Sequence, residues 1–164
     1  MNSRPLNLAK ARSDIRVRTL VVDNSPSRLK ALAQILEAAG KFDLVGTATD
    51  GGQALSHVRA LSPDLVLMDY HLPHLNGTHA IRYMKVFQPP PIVIIVTSDD
   101  SSSAKSMAEK AGADGFVSRS GNLSLRLTRT LQDLFGPSGA KRAAASGIPF
   151  QNPPAGQPNE DQGT

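Results

Sequence analysis

Two short segments, Leu65–Met68 and Ile92–Val96, consist of apolar residues alone. Runs of that length without polar alternation suit strands buried on both faces, as in parallel sheets covered by helices above and below. Three weaker runs, Leu20–Val22, Leu44–Val45 and Phe116–Val117, complete a predicted set of five strands. Helical patterns fill the intervals. Leu29, Leu32, Ala33 and Leu36 recur at i, i+3, i+4 and i+7 behind Ser25 as cap and Pro26 at the first helical position, and Gly40 stops the helix. Asp50 and Gln53 form a capping box for a second helix that ends before Pro63. A third begins at Asn76-Gly77 and is terminated by Pro89-Pro90-Pro91, and a fourth spans about residues 101–111. The last carries Leu123, Leu127, Leu131 and Leu134 on one face and stops at Gly136-Pro137. Strand and helix alternating every ~20 to 25 residues predict an α/β fold, (βα)5 and doubly wound, with a parallel sheet and right-handed crossovers.

Composition narrows the function classes. Aromatic residues make up 4% of the 164 and Trp is absent, so the core is aliphatic and an aromatic stacking platform for nucleic acid is not expected. Without cysteine there is no disulfide framework, thiol nucleophile or cysteine-bound metal. The longest strongly apolar run falls far short of the ~20 residues that cross a bilayer, and the first residues lack the apolar stretch of a secretory signal. A cytoplasmic protein is expected. The net charge of +4 is concentrated in residues 1–18, where Arg4, Lys10, Arg12, Arg16 and Arg18 stand against Asp14 alone, and the rest is balanced. Residues 1–17 are read as a flexible arm, 18–135 as the domain, and 136–164, rich in Pro, Gly, Ala, Gln and Asn, as a disordered tail.

In open sheets of this kind the site lies beyond the carboxyl ends of the strands, where strand order reverses. The first predicted strand ends at Asp23-Asn24, the third at Asp69, the fourth at Thr97-Ser98, and the fifth runs into Ser118-Arg119-Ser120. Any one of these could be turn chemistry after a strand. Polar groups delivered to one edge by four separate strands are hard to ascribe to solubility. His71, His74 and His79 follow Asp69, but their irregular spacing around Pro73 reads as an exposed loop rather than a transition-metal site.

The stretches TLVVDNSPSRLKAL, TATDGGQALSHVRALSPDLVLMDYHLPHLNG, PPIVIIVTSDD and EKAGADGFVSRS resemble, in order and spacing, the receiver domain of two-component response regulators. The resemblance covers residues 18 to about 135. It implies a flavodoxin-like sheet of order 2-1-3-4-5, with Asp69 as phosphoacceptor and Asp23 and Asn24 at the family's acidic metal-binding pair. It further implies Thr97 as the switch hydroxyl, Phe116 as the switch aromatic, and Arg119 where the family has Lys. Mg²⁺ would be held by Asp23, Asn24, Asp69 and the backbone carbonyl of His71. Clustered acids around a hard cation are what phosphoryl transfer to a carboxylate needs, because a dianionic group must be neutralised as it approaches.

Three departures modify that expectation. Asn24 removes one carboxylate, which weakens attraction for Mg²⁺. Arg119 is planar and bidentate where Lys is a point charge, and direct pairing with Asp69 is expected of it. Ser120 replaces the family's Pro, which raises the cost of a cis peptide to ~2.5 to 4 kcal/mol. No output domain is expected to follow. The expected function is therefore a stand-alone, non-enzymatic receiver that takes a phosphoryl group from a histidine kinase or phosphotransfer protein. It would signal by protein contacts, with a downstream protein target and a homodimer through the fourth and fifth strand–helix face among its partners. The alternative is a phosphorylation-independent pseudo-receiver acting as a protein-binding adaptor.

Overall fold

Ten elements alternate along residues 16–136, the span described by the computed structural model. They are β1 (Val17–Val22), α1 (Pro26–Ala39), β2 (Phe42–Ala48), α2 (Gly51–Leu61), β3 (Leu65–Met68), α3 (Gly77–Met84), β4 (Ile92–Thr97), α4 (Ser102–Ala111), β5 (Gly115–Ser118) and α5 (Leu123–Phe135). All but the last residues of the predicted arm and all but Gly136 of the predicted tail lie outside the described residues. The strands pair in the order β2-β1-β3-β4-β5, every pair parallel, as the sequence led us to expect.

Alternation along the strands divides the core in two. Leu20, Val22, Val66, Met68, Val93 and Ile95 face α2, α3 and α4, where Ala54, Val58, Ile81, Met84 and Ala108 pack against them. Val21, Leu65, Leu67, Ile94, Val96 and Val117 face α1 and α5, which contribute Leu32, Leu36, Leu127 and Leu131. Successive residues of one strand thus serve opposite layers, which is why β3 and β4 contain no polar residue before their ends.

Several boundaries differ from the expected ones. The second strand spans Phe42–Ala48 rather than two residues, because an edge strand leaves Asp43 and Leu44 exposed and so breaks the apolar run. The third helix ends at Met84, well before the prolines. Past it the chain turns, and Lys85 donates to the carbonyl of Pro91 at 2.8 Å and pairs with Asp114. Ser25 occupies the N-cap position of α1 without capping it: its hydroxyl meets Ser27 Oγ at 3.0 Å, and its N–H donates to Asp23 Oδ1. Asp50 does cap α2, accepting from the Gln53 N–H at 2.8 Å, while Gln53 Oε1 accepts from the Thr49 N–H at 2.7 Å.

Candidate functional site

Register places the site. Val22 pairs with Met68 and Met68 with Ile95, so Asp23 and Asp69 leave the sheet side by side from its two central strands, next to the end of β4. Asp23 is fully buried and Asp69 is 6% exposed, open only at the rim. A buried carboxylate needs its charge matched and its lone pairs filled. Asp23 achieves both through arginine. Arg28 Nε donates to its two oxygens at 2.9 and 3.0 Å, Arg119 Nη2 pairs with Oδ2, and the Ser25 N–H donates to Oδ1 at 2.9 Å.

Arg28 is the functional residue that sequence reasoning missed. Its Nη2 lies 2.8 Å from Asp23 Oδ1, 2.8 Å from Asn24 Oδ1 and 3.4 Å from Asp69 Oδ2. One nitrogen therefore touches all three side chains expected to hold a metal. The hydrogen bond to Asp23 holds the Arg28 guanidinium above its ordinary pKa, against the opposing effect of burial. A signal was present in the sequence: Arg28 sits in the first turn of α1, where a cation opposes the helix dipole and calls for an acidic partner nearby.

Arg119 corrects an expectation. It does not pair with Asp69; it turns to Asp23, the carboxylate with no access to water, whose desolvation makes it the more demanding partner. Its side chain is only 11% exposed, burial pushes its pKa below the ordinary arginine value, and its Nε has no hydrogen-bond partner among the described residues. The group remains cationic at neutral pH. The Arg119–Ser120 peptide is trans, and Ser120 donates its N–H to Ser118 Oγ at 3.1 Å.

The remaining expected residues surround Asp69. The His71 N–H donates to Asp69 Oδ1 at 3.3 Å, and the His71 ring meets Asp99 at 3.2 Å. Thr97 is fully buried at the end of β4; its Oγ1 accepts from the Asp99 N–H at 3.2 Å and its carbonyl from the Arg119 N–H at 2.8 Å. Phe116 is partly buried against the α2–α4 layer. Among the described residues, no group of three or more His, Asp or Glu side chains is gathered for a metal, and the three histidines stay apart. An open cleft of about 570 Å³ is lined by Asn24 and by Tyr70, His71, Leu72, His74 and Asn76 of the loop that follows Asp69.

Two carboxylates and two guanidinium groups thus balance in charge. The oxygens are of the kind a hard divalent cation takes, but the Arg28 guanidinium holds both oxygens of Asp23 and the amide oxygen of Asn24 and lies against Asp69 Oδ2, so the arrangement does not fit such an ion while Arg28 stays in place.

Known proteins agree with the fold. The chain is 34% identical over 130 residues to a protein-glutamate methylesterase/protein-glutamine glutaminase of Symbiobacterium thermophilum, a match covering 78% of this chain and 36% of that protein. It is 40% identical over 68 residues to one from Pseudomonas fluorescens, covering 42% of this chain and 18% of the relative. The chain therefore spans well under half the length of these curated relatives. Among solved structures, the response regulator domain of Thermotoga maritima CheB superposes with a TM-score of 0.60 at 27% identity, covering 79% of this chain and 95% of that one. CheY in a CheX–CheY–BeF₃–Mg²⁺ complex from Borrelia burgdorferi superposes at 0.70 with 21% identity, over 76% and 93% of the two chains, a likeness of fold. The response regulator receiver domain model matches residues 19–128, and the chain belongs to that family.

Proposed function

We propose that Asp69 accepts a phosphoryl group from a histidine kinase or phosphotransfer protein and that this receiver domain signals through protein contacts. The observation that carries this reading is Asp69 itself, a carboxylate 6% exposed at the end of a central strand, beside the buried Asp23 and within 3.4 Å of the Arg28 guanidinium. A carboxylate oxygen of Asp69 attacks phosphorus, an acyl phosphate bond forms, and the bond to the donor's nitrogen or oxygen breaks, its electrons leaving with the donor. Its hydrogen bonds from His71 and Arg28, at 3.3 and 3.4 Å, are long enough to leave the oxygens free to react.

Receiver domains as a family bind Mg²⁺, which supplies positive charge to the transferred group. In this chain Asp23, Asn24, Asp69 and the His71 carbonyl are the donors that would hold it, and Arg28 must first withdraw. Thr97 donates its hydroxyl to the phosphoryl group once that group arrives, giving up the Asp99 N–H it now accepts. That shift moves the β4–α4 loop and, through the pairing of Ile95 with Phe116, the aromatic on β5. Met107 on α4 and Leu125 on α5 are exposed apolar side chains suited to a downstream protein or a second copy. The site of action is the cytoplasm, where ATP-charged phosphoryl donors reside. No helix among the described residues is long and apolar enough to cross a membrane.

Acetyl phosphate labelling followed by mass spectrometry tests the reading. An Asp69-dependent gain of one phosphoryl group supports it, and none under generous conditions favours the adaptor alternative, for which the satisfied ion pairs of Asp23 are the supporting observation.

A further inference from the structure

We propose that Arg28 is the resident cation of this site: its guanidinium stands in the place of a divalent ion, excludes that ion, and supplies the positive charge that phosphoryl transfer to Asp69 requires. The second half of the proposal rests on the phosphoacceptor reading; the first does not. Arg28 Nη2 bridges Asp23, Asn24 and Asp69 at 2.8, 2.8 and 3.4 Å, and Nε fills the remaining lone pairs of Asp23. A metal entering here must displace a bidentate, charge-assisted pair from a fully buried carboxylate. It would also lack the second acid, since position 24 offers an amide oxygen.

Arg28 differs from Arg119 in its freedom. Its side chain is 39% exposed against 11%, and it reaches in from the first turn of α1. It can therefore swing between Asp23 and a phosphoryl oxygen on Asp69 while Arg119 keeps Asp23 neutralised. In the transfer step the phosphorus–donor bond breaks as the Asp69 oxygen–phosphorus bond forms, and the added negative charge is met by the guanidinium, with no further reactant needed.

Mn²⁺ binding, read from the electron paramagnetic resonance signal of free Mn²⁺, separates the possibilities. Arg28→Ala is expected to bind Mn²⁺ at least tenfold more tightly than the wild-type protein, and equal affinities overturn the proposal. Should that variant fail to fold, the wild-type protein suffices: the Arg28 Nε–H resonance is expected to stay protected and unshifted with Mg²⁺ up to the millimolar range, and a shift at micromolar Mg²⁺ overturns it. Labelling by acetyl phosphate is expected to change less than twofold when EDTA is added to the wild-type protein, and loss of labelling in EDTA overturns the proposal. If no labelling occurs in any condition the phosphoacceptor reading fails, and the manganese comparison alone decides whether Arg28 holds the cation's place.

Discussion

Arg119 crosses the carboxyl edge of the sheet to pair with Asp23 and leaves Asp69 to Arg28 and the His71 N–H. The two acids of the central strands are thereby unequal. Asp23 is committed to ion pairs in the interior, whereas Asp69 keeps weak contacts and an open rim.

Removing the buried partner should expose that difference. Asp23→Ala leaves two guanidinium groups with only the weaker contact of Arg28 to Asp69 to offset their charge, and the cost expected is about 3 kcal/mol, the lower end for a broken buried pair because Arg28 can turn to water. Urea unfolding measures it. A loss below about 1 kcal/mol would show that the pairs contribute little.

Restoring the family's residues should restore its metal chemistry. Asn24→Asp and Arg119→Lys, made together with Arg28→Ala, add a carboxylate and exchange a broad cation for a compact one once the resident guanidinium is gone. Calorimetric titration with Mg²⁺ is expected to show at least a tenfold gain in affinity over Arg28→Ala alone, and no gain would mean that Arg28 alone controls access.

Gly77 anchors the loop that follows Asp69. A Cβ there would lie 2.7 Å from the carbonyl oxygen of Tyr70, a backbone atom that cannot rotate aside. Gly77→Ala is expected to cost about 1–3 kcal/mol by overpacking and to slow labelling of Asp69 by displacing the His71 N–H. Unchanged labelling with reduced stability would confine the role of this glycine to packing.

Asp64 predicts a pH dependence of stability. Burial raises its pKa above the ordinary 3.8, opposed by hydrogen bonding to the Arg18 N–H at 2.9 Å and by the Arg18 charge. A carboxyl with a raised folded pKa contributes stability that is complete below its unfolded pKa and is lost as pH rises through the folded value. The stability of Asp64→Asn relative to the wild-type protein is therefore expected to increase between about pH 3 and 6. A difference that stays level, or falls, across urea titrations in that window contradicts the assignment.

How much was legible in the sequence follows from which forces act on each segment. Residues 65–68 and 92–96 were plain because both faces of β3 and β4 are covered, so no polar residue interrupts them. β2 was read too short because it lies at the sheet edge, where Leu44 is 43% exposed and Asp43 faces water. The meeting of Asp23 with Asp69 was foreseeable from strand order, since both residues simply follow paired strand ends. What Arg119 would grasp was not, because the choice between two carboxylates turns on which is more completely desolvated, a property of the packed interior. Arg28 escaped notice for a related reason: an arginine in the first turn of a helix reads as a solvated side chain until the buried acid beneath it is seen.

The most direct measurement is the intact mass of the wild-type protein and of Asp69→Ala after exposure to acetyl phosphate, each with and without EDTA. One added phosphoryl group on the wild-type protein in both conditions, and none on Asp69→Ala, is the expected result. Equal modification of both proteins, or none on either, would contradict the assignment of Asp69 as the acceptor.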